Sequence, residues 1–110
     1  MITPALFLWL NLCCAVYDVE PEFALSVFTI ESRLEVGPLG RSGTYIGPAG
    51  IHKCFRAKYD IDDPKENIRV GVAALRGKDK FRVLHRYNPK ATPAYVREVM
   101  RLRKQLGRKG

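Results

Sequence analysis

Four of the seven prolines in this chain, Pro4, Pro21, Pro64 and Pro93, stand at the head of apolar runs. Proline has no amide hydrogen and its φ is already helical, so it suits a first helical turn and interrupts whatever precedes it. Asp62 or Asp63 ahead of Pro64, and Thr92 ahead of Pro93, offer side-chain oxygens that cap free amides. Asp18 or Glu20 can do the same ahead of Pro21. These starts predict helices from Pro4 to about Tyr17, from Pro21 to about Arg33, from Pro64 to Leu75, and from Pro93 onward. Beyond a turn at Gly77-Lys78-Asp79, the stretch Lys80–Arg86 reads as a further helix with Phe81, Val83 and Leu84 inward, stopped near Asn88-Pro89. A short helix is expected over Ile51–Tyr59. No apolar alternation of period two stands out, so the expected class is all-α, mostly helical. At 110 residues the chain makes one domain, 1–110.

The longest interruption is Gly37–Gly50, which holds five glycines and two prolines and cannot be a regular helix or strand throughout. A loop of this length in a small domain is a candidate for function. Tyr45 and Ile46, between Thr44 and Gly47, suggest that it is ordered. It carries no phosphate-binding glycine pattern. In the helix after it, Gly71 costs about 1 kcal/mol relative to alanine, which implies a close contact that compensates.

The chain carries 19 Lys+Arg against 11 Asp+Glu, a net charge of +8, and 46% of it is hydrophobic. That balance favours an anionic partner: nucleic acid, a membrane surface or a cell-wall polymer. The charge alone leaves open a basic helical, non-enzymatic protein that binds nucleic acid or a membrane, but the cationic side chains are dispersed rather than gathered on a recognition helix, so nucleic acid is not expected. The exception is the basic C-terminal helix, 96–110. There Arg97, Arg101, Arg103, Lys104, Arg108 and Lys109 surround Val96, Val99, Met100 and Leu102, as on a solvated core helix or on a helix lying on an anionic membrane or wall surface. Three cysteines make no complete disulfide set. Cys13, Cys14, His52, Cys54 and His85 lack the paired spacing of structural zinc sites, and no metal or other cofactor is expected. The apolar stretch 1–16 is either a first domain helix or a signal-like core. It lacks the leading positive charge of a signal and is short for a bilayer span.

One ionisable group interrupts the densest apolar helix, Phe23-Ala24-Leu25-Ser26-Val27-Phe28-Thr29-Ile30-Glu31-Ser32. Desolvation raises a carboxyl pKa, and a carboxyl that keeps its proton near neutral pH can give it to a leaving group. The plain alternative is that Glu31 ends the helix in solvent.

Several segments, in order, resemble a known family. Glu20-Pro21-Glu22-Phe23-Ala24-Leu25 leading to Ile30-Glu31-Ser32-Arg33-Leu34 resembles the opening of the lytic transglycosylase domain of the lysozyme-like superfamily, with its catalytic Glu-Ser. Gly47-Pro48-Ala49-Gly50-Ile51 is similar to the family's Gly-Leu-Met-Gln-Ile segment. Asp63-Pro64-Lys65-Glu66-Asn67-Ile68-Arg69-Val70-Gly71-Val72-Ala73-Ala74-Leu75 matches its Asp-Pro-x-x-Asn-Ile-x-x-Gly-x-x-x-Leu helix, the most specific of the set. Arg86-Tyr87-Asn88, with Tyr95 and Val99 beyond, is similar to its Ala-Tyr-Asn region. The likeness spans roughly residues 8–100. It departs at Gly50, where the family has glutamine, at Arg86, where a small residue is usual, and at Pro89.

The resemblance implies a compact, goose-type lysozyme-like domain whose glycine-rich loop borders a groove, opened by short loops. It implies cleavage of peptidoglycan between N-acetylmuramic acid and N-acetylglucosamine, with Glu31 as general acid and base. Tyr87 would orient Glu31. Tyr45, Ile46 and Gly47 would line the groove, with Gly50, Asn88 and Tyr95 beside it. Ser32 either contacts substrate or merely ends its helix. His52 is adjacent and Asn67 is structural. A second carboxylate would have to come from Glu35, Asp60, Asp62 or Asp63. Without one, the sugar's own N-acetyl group can stabilise the cation. The remaining expectations are a monomer acting on glycan strands in the periplasm or cell wall, as a phage lysis or virion product or as an exported bacterial protein.

Overall fold

The computed structural model describes residues 2–34, 38–39 and 43–109. Glu35, Gly37 and 40–42, parts of the expected loop and of the second-carboxylate set, lie outside the described residues. Among those described, five α-helices run as α1 (Pro4–Tyr17), α2 (Pro21–Ser32), α3 (Pro64–Ala74), α4 (Lys80–Tyr87) and α5 (Pro93–Lys109). Between α2 and α3 come three two-residue strands, β1 (Pro38–Leu39), β2 (Tyr45–Ile46) and β3 (Ile51–His52), then a 3₁₀ turn at Lys53–Ala57. The protein is mostly helical, as expected, with this small sheet added.

The helices begin where the prolines place them, and local caps explain why. Thr3 Oγ1 accepts from the Leu6 amide at 3.2 Å, Asp63 Oδ1 from Lys65 at 3.1 Å, and Thr92 Oγ1 from Tyr95 at 3.1 Å. Asp79 serves both Phe81 and Arg82 at the head of α4. The exception is α2: Glu20 occupies the cap position but makes no cap bond, and Asp18 instead ends α1 in the left-handed region at φ 57°. Glu20 is diverted to Arg103, where an ion pair competes successfully with a cap bond.

Two departures from the expected elements lie after the glycine-rich loop. The expected helix over Ile51–Tyr59 is a strand followed by a 3₁₀ turn. The sheet is antiparallel, with Leu39 opposite Tyr45 and Tyr45 opposite His52. Strands of two residues leave no alternation for a sequence pattern to show. Phe81, expected inward, is 59% exposed, while Val83 and Leu84 are buried on α4's inner face with Tyr87 packed beside them.

The core is one cluster that draws Leu10, Cys13 and Cys14 from α1, Phe23, Val27 and Phe28 from α2, Ile68 and Val72 from α3, Leu84 from α4 and Val99 from α5. Helix α1 packs on α3 and α2 on α5. The α1–α3 seam is closed by the Trp9 indole donating to the Lys65 carbonyl at 2.8 Å and by Arg69 donating to the Tyr17 hydroxyl at 2.9 Å. The signal-like stretch is therefore also a structural helix, although its outer face leaves Leu8, Leu12 and Val16 exposed. Among the described residues, no helix is long and apolar enough to cross a membrane. Burial pushes the Cys14 thiol up to about 12, leaving it an unreactive core group.

Candidate active site

The site is built around one tight turn, Gly47-Pro48-Ala49-Gly50, closed by the Gly50 amide donating to the Gly47 carbonyl at 2.9 Å. Three helices grip it. From α2, the buried Ser32 hydroxyl is shared between the carbonyls of Phe28 and Pro48. From α3, Asn67 is fully buried; its amide nitrogen donates to Ile46 and Ile61, and its oxygen accepts from the Ala49 amide at 2.9 Å. From α4, the Tyr87 hydroxyl donates to the Ala49 carbonyl at 2.6 Å. Gly47 sits at φ 73°, and any side chain there would run into the Asn67 amide. Gly71 is needed for the same reason one helix away, since a side chain would meet Ala49 and the Phe28 ring. The close contact that offsets its helix cost is thus with both the turn and α2.

This grip places Gly50 against Glu31: a β-carbon at Gly50 would lie 3.4 Å from Glu31 Cβ. The backbone there is left-handed (φ 59°), so a glutamine at this position would be strained. Glu31 is partly buried, and the Tyr95 hydroxyl from α5 donates to its Oε1 at 2.6 Å. Burial pushes the Glu31 carboxyl above its usual range, while hydrogen bonds from Tyr95 and Asn88 pull it part of the way back. Both phenols stay protonated: burial and the Glu31 charge raise Tyr87, and burial with the bond to Glu31 raises Tyr95.

Glu31 opens on a cleft of about 930 Å³ with Tyr45, Gly50, His52, Tyr87 and Asn88 in its walls. Among the described residues lining it, Glu31 is the one carboxylate. Asp62 is ion-paired to Arg56 and Asp63 caps α3, so neither serves as a second acid, and Asp60 is not in the walls. Tyr45 and His52 meet edge to face, with centroids 5.5 Å apart, and His52 Nδ1 accepts from the Cys54 amide. Cys13 and Cys14 are buried and Cys54 is exposed; no group of three possible metal ligands occurs among the described residues.

Several expected roles change. Tyr95, rather than Tyr87, holds Glu31, because Tyr87 spends its single donor on Ala49. Ser32, Ile46 and Gly47 do not line the cleft; all three are buried, and they shape or pin the turn instead. A further wall was not anticipated. Arg69, Val70, Ala73, Ala74 and Arg76 line the cleft from α3 and the residues just after it. Their helical spacing, opposite the core stripe of Ile68, Gly71, Val72 and Leu75, was the available signal.

Chemically, this is a mostly helical domain that presents one desolvated carboxyl, braced by a phenol, to an open cleft. Comparison with protein-family models, curated proteins and solved structures finds no match to this chain.

Proposed function

We propose that the chain is a minimal lytic transglycosylase of the lysozyme-like type, cleaving peptidoglycan between N-acetylmuramic acid and N-acetylglucosamine. The observation that carries the reading is Glu31: a carboxyl raised by burial, bonded by Tyr95, and the one acid among the described residues of a cleft roomy enough for sugars. The colinear motif likeness supports it. So do Asn67 and Gly71, which hold the turn beside the acid.

In this mechanism protonated Glu31 gives its proton to the glycosidic oxygen as the bond to muramoyl C1 breaks. The N-acetyl carbonyl of the same sugar stabilises the positive charge at C1, the role a second carboxylate would otherwise take. Ionised Glu31 then accepts the proton of the muramoyl 6-hydroxyl while that oxygen bonds to C1. The acid is regenerated and an anhydro ring closes. Attack by water in place of the 6-hydroxyl gives the hydrolytic product with the same proton balance. Tyr95 keeps the carboxyl aimed through both steps, and Asn88 supports it.

Purified sacculi incubated with the protein should release muropeptides, and Glu31→Gln should release none while keeping the native circular dichroism spectrum. Mass spectrometry of the ends, anhydro or reducing, assigns the second step. Undiminished digestion by Glu31→Gln overturns the reading. In that event, release of vesicle contents by the same variant favours a basic membrane-binding helical protein, the second class compatible with the charge. On the enzymatic reading the domain acts on glycan strands in the periplasm or wall, as a phage lysis or virion component or an exported bacterial enzyme.

A further inference from the structure

The cleft does not end at Glu31. A second cavity of about 570 Å³ adjoins it and shares Ala73, Ala74, Arg76, Arg86 and Tyr87 with it. Both arginines therefore stand, with Tyr87, where the two cavities meet. Arg86 reaches from α4 to the end of α3, where its Nη2 donates to the carbonyls of Ala74 and Arg76. Arg76 donates through Nε to the Ala73 carbonyl at 2.9 Å, and its guanidinium lies 5.6 Å from the Tyr17 ring centre. Both groups are thus held in place by neutral partners that leave their charge uncompensated.

Five arginines are neutralised, Arg56 by Asp62, Arg69 by Glu66, Arg82 by Asp79, Arg101 by Glu98 and Arg103 by Glu20, and Arg33, Arg97 and Arg108, which have no partner among the described carboxylates, lie outside the walls of both cavities. Among the described residues, Arg76 and Arg86 have no carboxylate partner. A planar guanidinium already fixed by backbone carbonyls loses little freedom when it takes a carboxylate. Paired groups in a cleft bind that anion by charge-assisted, two-point hydrogen bonding. Arg86 is also a position at which the chain departs from the family pattern.

We propose that Arg76 and Arg86 form a carboxylate subsite where the cleft meets the second cavity, which binds an acidic group carried by the muramoyl lactyl arm of the glycan. The inference rests on the glycan-cleaving reading of the same cleft. The shared chemistry is a carboxylate, supplied either by the stem peptide or, where the peptide is missing, by the lactyl group itself.

The test uses the full chain carrying Glu31→Gln, which binds without turnover, and soluble glycan strands in a titration calorimeter at low ionic strength. Three ligands are compared: peptide-bearing strands, strands stripped of peptide by an amidase, and peptide-bearing strands with every carboxylate converted to a neutral amide. Peptide-bearing strands should bind about tenfold tighter than neutralised ones, and added salt should shrink the difference. Stripped strands that match the first ligand show that the lactyl carboxylate freed by the amidase serves as well as a peptide carboxylate, whereas stripped strands that match the neutralised ones assign the peptide alone. Arg76→Gln should abolish the preference, Arg76→Lys should restore part of it, and Arg97→Gln, which removes the same charge outside the cleft, should leave it intact. Equal affinity for charged and neutralised strands overturns the subsite and leaves the glycan reading standing. So does loss of the preference in Arg97→Gln to the same extent as in Arg76→Gln. Failure to bind any strand overturns both.

Discussion

Glu20 and Glu31 stand at opposite ends of α2, and both are held by α5, Glu20 by Arg103 and Glu31 by Tyr95. The pairings run in opposite order, so the two helices lie antiparallel with one contact at each end. The chemistry at the two ends diverges completely. At the N-terminal end a guanidinium binds Glu20 in two-point fashion and, chiefly through those hydrogen bonds, holds its carboxyl below its usual value. At the C-terminal end a neutral phenol and the closed turn beneath Gly50 leave burial as the larger influence, and the Glu31 carboxyl rises. One helix pair therefore carries a structural acid that favours its ionised form and an acid able to hold a proton. The neighbours decide which is which, not the residue type.

The largest expected effect separates the two acids by activity. Glu31→Gln should lower glycan cleavage by about 10²–10⁴-fold, the usual weight of a general acid or base, whereas Glu20→Gln should leave turnover on sacculi near wild type. Equal losses would mean that α2 as a whole, not the placement of one carboxyl, matters. The turn that presses on Glu31 comes next. Gly47→Ala puts a methyl group into the Asn67 amide at a left-handed backbone position and should destabilise the fold by about 2–3 kcal/mol in urea titrations, by strain and lost hydrogen bonds together. A neutral outcome would show that the turn yields and does not position the acid.

Tyr95→Phe sharpens the comparison within the site. The Tyr95 bond draws the Glu31 carboxyl down, so its loss lets burial raise the group further. A general acid works while protonated, so activity falls as pH rises through its pKa. That falling limb should move to higher pH in Tyr95→Phe, while kcat drops about tenfold through poorer aim. Tyr87→Phe also loses a hydrogen bond, but that bond goes to Ala49 rather than to Glu31, and it should lower stability while moving the limb little. A shift in Tyr87→Phe and none in Tyr95→Phe would exchange the two roles.

What could be read in advance follows the range of each interaction. Helix starts were legible because a proline and a cap act within four residues. The close contact at Gly71 was legible because a glycine inside a helix needs one to offset its cost, and it meets Ala49 and the Phe28 ring. The tyrosine that grips Glu31 was not, since Tyr95 lies 64 residues away and only the antiparallel seating of α5 on α2 selects it over Tyr87. Ser32 illustrates a different limit. A hydroxyl next to a candidate catalytic acid suits substrate or backbone equally, and only the nearness of the Pro48 carbonyl turns it inward. The capping role considered for Glu20 was overtaken in the same way, by a partner 83 residues distant.

The smallest effect is the one in which the two acids should disagree in sign. Glu20 has a folded pKa below its usual 4.5, so its stabilisation is present above about that pH and fades as pH falls through the lowered value. Glu31 has a folded pKa above 4.5, so folding favours its protonated form. Its stabilisation is complete below about 4.5 and is lost as pH rises through the raised value. Glu20→Gln should therefore cost about 0.5–1 kcal/mol at pH 7, the range for a partly exposed ion pair, and almost nothing near pH 3. Glu31→Gln should make the protein slightly more stable at pH 7, where it removes a desolvated charge, with the gain vanishing at acid pH. Urea unfolding of both variants at pH 3 and pH 7 reads the two slopes directly. Slopes of the same sign would mean that hydrogen bonding outweighs burial at Glu31 as it does at Glu20, and the desolvated acid on which the cleft's chemistry depends would be gone.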